Sequence, residues 1–513
     1  MAIAAFPSLL RHGRPSWAPL AIDAGLGAVA ALGQAPWNLW PLTLLAMALL
    51  CQRVAQASTP RAAAWHAFAA GLGHFALAMS WIVEPFLVEP EIYGWMAPFA
   101  LVFTAAGGAL FWTVPAWLAA RFAAGFTRQG LGFAALMVLS DWARGWIFTG
   151  LPWALTGHVW IDTPAGQVAA TLGAIGLSGL TMLAAALPLA FRRPGRFPAL
   201  PGTVLAALVV ATAWSAGLAR LARPLPPDTG LNLRLVQPDA TQALKWDPYW
   251  SEVFFRRLLD LSAARDSGRP PPNAVIWPET AVNFLLEQSG TAPQEIAAYV
   301  GAPVVLGIQR VEGSRYFNSL TEFSDRGIGP VYDKFHLVPF GEYTPWGDMM
   351  AQFGIRAFAA QHGFGYSAGP GPQVMRLPGL PPMQPLICYE AVFSHHLIAG
   401  QDRPAWLLQV TNDAWFGQVS GPWQHLAQAR LRAIESGLPL MRAANTGVSA
   451  VIDARGTLRA TLGLDRAGRI DAALPGALPP TPWSRWGDWP AVALALAAFL
   501  LLAAAPRRAK LRG

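Results

Sequence analysis

The chain has 513 residues, of which 54% are hydrophobic and only 13% are charged. Soluble domains carry about 25% charged residues, so this composition is typical of a membrane protein. Residues 221–487 hold 22 basic and 22 acidic side chains, so the net charge of +8 lies entirely outside them, which argues against a basic nucleic-acid-binding domain there.

Eight apolar segments approach the length that crosses the hydrocarbon of a bilayer, which is ~20 residues. They cover residues 18–35, 39–56, 64–84, 93–120, 130–148, 166–190, 199–219 and 489–505. Basic residues mark alternate connections, namely Arg11, Arg14, Arg53, Arg61, Arg121, Arg128, Arg192, Arg193, Arg196, Arg507, Arg508, Lys510 and Arg512. The other connections hold Glu84, Glu89, Glu91, Asp141 and Asp162, with Arg144 as the main basic exception.

Because basic loops stay in the cytoplasm, this alternation predicts eight spans with both termini cytoplasmic and residues 221–487 on the opposite side of the membrane. A cleaved signal peptide is the alternative for the N-terminus. The several further segments of the same kind that follow the first one favour a membrane span. We therefore expect a membrane domain at 1–220 with about seven helices, a catalytic domain at 221–487, and a last helix with a basic tail at 488–513.

Short strand-like runs alternate with helical patterns within residues 221–487, which predicts an α/β layered domain. The predicted strands cover 231–236, 274–277, 304–308, 319–323, 331–332, 383–387, 406–410 and 448–452. The predicted helices cover 249–264, 292–300, 393–399 and 424–435.

Three of these strands end at an ionisable residue: Glu279, Lys334 and Cys388. Cys388 also precedes a helix-like pattern, whose free N–H groups would point at whatever the thiol attacks. Glu279 suits a general base, and Lys334 suits a thiolate stabiliser. Lys334 and the backbone N–H of Tyr389 would together hold an oxyanion. Each residue alone has a structural explanation, but the set of three predicts nucleophilic catalysis.

Other features of the sequence predict less about function. Cys51 and Cys388 are the only cysteines, and the predicted topology separates them, so no disulfide is expected. His395 and His396 are adjacent and do not share a helix face, so we predict no metal site. The aromatic segment that runs from Phe340 to residue 364 is either a lipid-facing lid or a loop packed on its own domain.

Longer motifs surround the three residues: QPDATQALKWD at 237–247, DKFHLVPFGEYTP at 333–345, CYE at 388–390 and TNDAWFG at 411–417. The ionisable set resembles the Glu-Lys-Cys signature of the nitrilase superfamily. The longer motifs, with spans on both sides, are similar to those of the apolipoprotein N-acyltransferase family over nearly the whole chain. One departure is visible, because QPDATQ replaces the QGN-type start of its segment, and it touches no proposed catalytic group.

This resemblance implies an α-helical transmembrane bundle plus an extracytoplasmic α/β nitrilase-like domain, an α-β-β-α sandwich. The family moves an acyl chain from a phospholipid to the α-amino group of the diacylglyceryl-cysteine of an apolipoprotein, through an enzyme thioester. By match, Glu279 is the base, Lys334 the oxyanion stabiliser and Cys388 the nucleophile. The supporting positions are Glu342, Tyr389 and Glu390, and the expected substrate contacts are Trp246, Asn412 and Trp415.

The expected protein is thus a monomeric, multi-pass enzyme of the bacterial inner membrane, with its catalytic domain in the periplasm. It needs a phospholipid donor and a diacylated apolipoprotein acceptor, and no metal, cofactor or nucleic acid. One rival is a membrane-tethered amidase of small amides that shares the three residues. A second is a non-catalytic transporter or scaffold, which the scarcity of ionisable residues within the spans disfavours.

Overall fold

The computed structural model describes residues 17–191, 200–268, 270–345 and 365–504. The chain divides into two units. The first comprises the described parts of Met1–Val83, Trp95–Arg223 and Trp486–Gly513, and the second comprises those of Glu84–Gly94 and Pro224–Arg485. The basic residues predicted to flank the N-terminus, the segment 192–196 and the C-terminus lie outside the described residues.

The first unit is helical. Its long helices are Trp17–Ala31, Trp40–Gln56, Pro60–Ala78, Ala97–Phe122, Phe126–Arg144, Ala169–Ala186, Leu200–Leu221 and Trp489–Ala504. Each overlaps one of the eight apolar segments. In the described chain three helical stretches are long and apolar enough to cross a membrane, Pro90–Phe122, Pro164–Leu189 and Leu200–Leu221. A fourth is added if the bent pair Pro60–Ala78 and Ser80–Leu87 is one span, and the number eight stays a prediction.

Helix Ala97–Phe122 shows why such segments suit a bilayer. Its outer face exposes Phe99, Val102, Phe103 and Leu110, whereas Ala105 and Ala109 are buried. Small residues let backbones approach closely in the absence of a hydrophobic driving force. A Cβ at Gly71 would lie 2.8 Å from the Cα of Ala109, so the glycine permits the close contact with this helix.

The second unit contains twelve strands in its described part. They are β1 Asn232–Gln237, β2 Ala274–Ile276, β3 Val304–Glu312, β4 Arg315–Ser324, β5 Gly327–Ile328, β6 Tyr332–Asp333, β7 Met383–Ile387, β8 Trp406–Thr411, β9 Leu440–Ala444, β10 Ser449–Ile452, β11 Leu458–Leu462 and β12 Gly468–Ala473. One sheet has the order β12-β1-β2-β3-β4-β5, with β6 also paired to β4. The other has the order β11-β10-β9-β8-β7. Strands β1, β2 and β3 pair in parallel, as do β7, β8 and β9.

Three apolar clusters define the layers of this unit. Leu235, Val305, Leu408 and Met441 belong to a cluster that fills the space between the two sheets. The outer face of the first sheet packs on helices Pro248–Ala263 and Ala292–Val300 through Val275, Leu258 and Ile296. The outer face of the second sheet packs on helix Gly421–Ser436 through Leu407, Leu426 and Ala433. The layers therefore run helix, sheet, sheet, helix.

Two parts of the sequence prediction were wrong. The helix expected at 393–399 is absent, and two short 3-10 helices, Ser394–His396 and Gly400–Asp402, flank irregular chain. Ala391 and Val392 end the 3-10 helix Cys388–Val392 and are buried, as is Phe393, so this apolar run reflects the enclosed turn after β7 and not the face of an α-helix. Strands β9, β11 and β12 were missed, since β11 and β12 are half exposed and carry arginines.

Candidate active site

The two sheets bring chain segments with polar residues together at the carboxyl ends of their parallel strands, where α/β sites form. Cys388 follows β7 directly, and Asn412 follows β8 directly. Glu279 lies three residues beyond β2, and Lys334 follows β6. Sequence patterns placed Glu279, Lys334 and Cys388 at strand ends, but only the pairing of the strands decides that they converge.

Glu279, Lys334 and Glu342 form a buried charged cluster. The Nζ of Lys334 lies 2.8 Å from Oε1 of Glu342 and 3.6 Å from Oε1 of Glu279. The amide of Asn318, on β4, donates to Oε1 of Glu279 at 2.7 Å and to Oε1 of Glu342 at 3.2 Å. The backbone N–H of Asn412 donates to the other oxygen of Glu279 at 2.8 Å. Both Glu279 oxygens are thus held in place.

The charges around Lys334 fix its protonation state. Burial by itself opposes the ammonium form, but attraction to Glu342 and Glu279 outweighs it and raises the pKa of Lys334 well above its ordinary range. Lys334 therefore remains a cation and a hydrogen-bond donor. It is suited to stabilise negative charge on a reacting oxygen and unsuited to act as a base.

At Cys388 the surroundings favour the neutral form, the protonated thiol. Burial, reinforced by the negative charge of Glu279, raises the pKa of Cys388 although Lys334 opposes the shift. Lys334 lowers this pKa, which is the direction expected of a thiolate stabiliser, but desolvation has the larger effect. The thiol needs a base to remove its proton as it attacks.

The backbone at Cys388 is strained. Its φ is +51°, in the left-handed region that costs a non-glycine residue of order 1–3 kcal/mol. Cys388 begins the 3-10 helix Cys388–Val392, which spans 5 residues and leads into irregular chain. The residue is buried in this tight turn, with only 6% of its surface exposed.

Glu390 joins the nucleophile turn to the lysine segment. Its Oε2 accepts the hydroxyl of Tyr332 at 2.9 Å and the N–H of Ile387 at 2.8 Å. Its Oε1 accepts the N–H groups of Phe335 at 2.8 Å and His336 at 3.3 Å. Burial raises the pKa of Glu390 to about 7, against the opposing effect of these N–H groups. The side chain ties the residues before Cys388 to those after Lys334.

The other predicted residues take several places. Tyr389 is buried and its ring packs on Phe393, with centroids 4.9 Å apart. The side chain of Asn412 donates to Gln242 at 2.8 Å and accepts from Asn445 at 2.9 Å. Trp246 and Trp415 are half-buried. Their contacts with substrate stay predictions, as does the Tyr389 N–H in the oxyanion site. Most of the proposed lid, residues 346–364, lies outside the described chain.

Sequence reasoning missed several residues of this site. Asn318 sits within an ordinary strand and gives no local signal. Lys245 is 7% exposed and donates to the hydroxyl of Thr280 at 2.6 Å and to the carbonyl of Glu279 at 3.3 Å. Burial lowers the pKa of Lys245 to about 8, and the charge of Glu279 partly restores it. The adjacent LKWD motif singled out Trp246, when the lysine before it is what supports the Glu279 turn.

A small pocket lies beside the turn that carries Glu279. Lys245, Trp246, Phe254, Thr280 and Asn445 are among its lining residues. Among the described residues, no three His, Cys, Asp or Glu side chains lie close enough together to hold a metal ion. The ionisable groups that meet in the site are the carboxylates of Glu279 and Glu342, the ammonium of Lys334 and the thiol of Cys388.

Two family models match the chain: apolipoprotein N-acyltransferase N-terminal domain over residues 26–187, and carbon-nitrogen hydrolase over residues 273–478. A protein named apolipoprotein N-acyltransferase from Bradyrhizobium diazoefficiens is 36% identical, with 94% of each chain covered. One of the same name from Caulobacter vibrioides is 37% identical, with 93% of this chain and 92% of that one covered. A solved CN-hydrolase superfamily protein from Xanthomonas campestris, at 20% identity and a TM-score of 0.36, covers 54% of this chain.

Proposed function

Since the chain belongs to the apolipoprotein N-acyltransferase family and is an N-acyltransferase that acts in lipoprotein N-acylation, we propose that Glu279, Lys334 and Cys388 carry out its chemistry. Cys388 takes a fatty acyl chain from a membrane phospholipid as a thioester. The chain then passes to the N-terminal α-amino group of a diacylglyceryl-cysteine.

In the first half-reaction Glu279 accepts the thiol proton as the sulfur attacks the ester carbonyl of the phospholipid. The S–C bond forms, and the carbonyl oxygen becomes an oxyanion beside the ammonium of Lys334 and the N–H of Tyr389. Collapse of this intermediate breaks the C–O ester bond. The leaving alkoxide takes the proton from Glu279 and departs as a lysophospholipid, and the acyl thioester of Cys388 remains.

In the second half-reaction the free amino group of the apolipoprotein attacks the thioester. Glu279 takes a proton from the attacking amine, the C–N bond forms and the C–S bond breaks. The thiolate recovers its proton from Glu279, which regenerates the resting site. Donor product leaves before acceptor binds, so the kinetics are ping-pong.

The observation that carries this proposal is the buried arrangement of the Glu279 carboxylate and the Lys334 ammonium beside the protonated thiol of Cys388. The carboxylate of Glu279 is fixed by Asn318 and Asn412 and lies 3.6 Å from the Nζ of Lys334. The charges of both groups influence the pKa of Cys388. Enclosure also limits hydrolysis of the thioester, since only 6% of Cys388 is exposed.

The finer assignments belong to the same proposal. The catalytic domain, residues 221–487, faces the periplasm and both termini face the cytoplasm, because basic residues alternate along the connections. The enzyme acts as a monomer with eight spans. Trp486 and Trp489 are well exposed and suit a membrane interface close to the catalytic domain.

The test is intact-mass measurement of the full chain in mixed micelles with phospholipid. We expect an acyl adduct on wild type that hydroxylamine removes and that Cys388→Ala lacks. Addition of a diacylated N-terminal lipopeptide discharges the adduct and yields a triacylated peptide. Turnover of small amides without any adduct would instead identify a membrane-tethered amidase.

A further inference from the structure

Behind the nucleophile lies a second buried charged network that the mechanism above does not use. Oδ1 of Asp413 accepts the hydroxyl of Thr411 at 2.8 Å and lies 2.9 Å from Nδ1 of His425. Its Oδ2 pairs with the guanidinium of Arg442. Thr411, Asp413, His425 and Arg442 are each at most 1% exposed.

The protonation states in this network follow from its charges. Burial would raise the pKa of Asp413, but Arg442 and His425 outweigh it and hold this pKa well below its usual range. Asp413 is thus a carboxylate that only accepts. Burial, together with Arg442, lowers the pKa of His425, whose Nδ1 faces the carboxylate of Asp413.

The other ring nitrogen of His425 faces the nucleophile. Nε2 of His425 lies 3.1 Å from the carbonyl oxygen of Cys388 and 3.0 Å from the amide nitrogen of Gln409. The same amide nitrogen lies 3.3 Å from the carbonyl oxygen of Cys388. Asp413 therefore orients His425, and His425 and Gln409 together hold the backbone of Cys388.

The same Asp413 oxygen also reaches the other end of Cys388. The hydroxyl of Thr411, which donates to Asp413, is also close enough to the thiol to influence the pKa of Cys388. Sulfur and carbonyl of the nucleophile are therefore both positioned from one carboxylate. Cys388 needs such support because its φ of +51° is unfavourable unless the surroundings impose it.

We propose that Asp413 is a positioning residue for acylation: one of its oxygens orients Thr411 and His425, and through them fixes the sulfur and the carbonyl of Cys388. This inference rests on the proposed function, since it concerns formation of the Cys388 thioester. Asp413 itself touches no reacting atom.

A charged pair between two neighbouring strands supplies the matched control. Asp471 pairs with Arg234 between β12 and β1, at 2.6 Å and 2.9 Å. Asp413→Asn and Asp471→Asn both remove a carboxylate from a largely buried arginine with little change of shape. Of the two, only Asp413 connects to Cys388 through the bonds described above.

The experiment measures the single-turnover rate of thioester formation in full-length variants across a range of phospholipid concentrations. We expect Asp413→Asn to lower the rate constant at saturation by about 10- to 100-fold, because small displacements of reacting atoms cost that much. The phospholipid concentration that gives half-maximal rate stays the same. Asp471→Asn retains the wild-type rate. Thermal unfolding in detergent shows that each variant is folded.

Thr411 keeps the inference testable if Asp413→Asn does not fold. Thr411→Val removes the hydroxyl at nearly constant shape and slows thioester formation, whereas Thr411→Ser keeps the hydroxyl and restores the rate. The double variant Asp413→Asn/Thr411→Val is no slower than the slower single variant, because the two residues act through one path. A purely structural role predicts additive losses.

The outcomes separate the two proposals. If wild type forms no thioester, the proposed function fails. If wild type forms one and Asp413→Asn, or Thr411→Val, does so at the same rate, the inference about Asp413 is overturned. Additive losses in the double variant, or an equal loss in Asp471→Asn, overturn it as well.

Discussion

The two charged neighbours of Cys388 have opposite effects on the pKa of its thiol, and these effects can be measured separately. Glu279 raises the pKa of the thiol and Lys334 lowers it, while burial gives the largest contribution, a rise. The free site therefore holds a neutral thiol, and its nucleophile is generated during attack. This differs from sites whose cation keeps a resting thiolate.

We expect Glu279→Gln and Lys334→Met to shift the alkylation of Cys388 in opposite directions. A raised pKa means that the thiol ionises only above its ordinary range, so the wild-type rate with iodoacetamide still rises above pH 9 or so. Glu279→Gln removes a negative charge, lowers the pKa and moves the profile to lower pH. Lys334→Met removes a positive charge and moves it to higher pH.

The measurement is the rate of mass addition as a function of pH in a Cys51→Ser background, with Cys388→Ala as the blank. Neither Glu279→Gln nor Lys334→Met forms the acyl adduct, whatever its alkylation rate. Unchanged profiles in both variants would show that burial alone governs the pKa of the thiol.

At the scale of elements, the site depends on contacts between separate chain segments. Glu390 connects the turn after β7 to β6 and the residues that follow it by three hydrogen bonds, and a fourth joins it to Ile387 on β7. In Glu390→Gln an amide nitrogen faces the N–H of Ile387, which then lacks an acceptor. An unsatisfied buried N–H costs about 1–3 kcal/mol, so we expect the free energy of unfolding to fall by that amount and thioester formation to slow.

Urea unfolding in detergent, followed by tryptophan fluorescence, measures the effect of Glu390→Gln. The control is Glu252→Gln, whose exposed carboxylate pairs with Arg256 on helix Pro248–Ala263 and whose loss leaves both stability and rate unchanged. Equal unfolding curves for wild type and Glu390→Gln would contradict the connecting role of Glu390.

The turn that carries Glu279 requires a glycine on the neighbouring strand. A Cβ at Gly307, on β3, would lie 2.6 Å from the Cα of Glu279 and 2.7 Å from the carbonyl oxygen of Pro278. Both are backbone atoms and cannot move aside freely. We therefore expect Gly307→Ala to displace Glu279 and reduce the rate of thioester formation by about 100-fold.

Gly463→Ala is the matched control for this substitution, because a Cβ at Gly463 meets no atom within 4 Å. Single-turnover acylation distinguishes the two. A Gly307→Ala variant that acylates at the wild-type rate would mean that the turn accommodates the methyl group without moving the carboxylate.

At the scale of the whole molecule, the alternating basic connections predict which side of the membrane each connection and the catalytic unit face. We expect a cysteine introduced at Glu312, exposed in the catalytic unit, to react with a membrane-impermeant maleimide in cells whose outer membrane is permeabilised. A cysteine at Arg61, exposed at a predicted cytoplasmic connection, reacts only after lysis. Both are placed in a Cys51→Ser/Cys388→Ala background, and labelling of both in unlysed cells would contradict the topology.

The sequence by itself determined the class of molecule and the three strand ends that bear Glu279, Lys334 and Cys388. Apolar length and strand periodicity are local properties, and a side chain that follows a strand keeps its place whatever the strand pairs with. Family membership, inferred from motifs of seven to thirteen residues, was confirmed by relatives such as that from Bradyrhizobium diazoefficiens.

Only the tertiary structure decided what surrounds those three residues. Asn318, Lys245 and Asp413 lie far from one another in sequence, and their contacts with the site depend on which strands pair and which side chains are buried. The protonation of Cys388 also depends on the packed site, because desolvation outweighs the effect of the nearby cation. The helix expected at 393–399 was wrong because the apolar run at its start reflects burial in the turn after β7 and not one face of a helix.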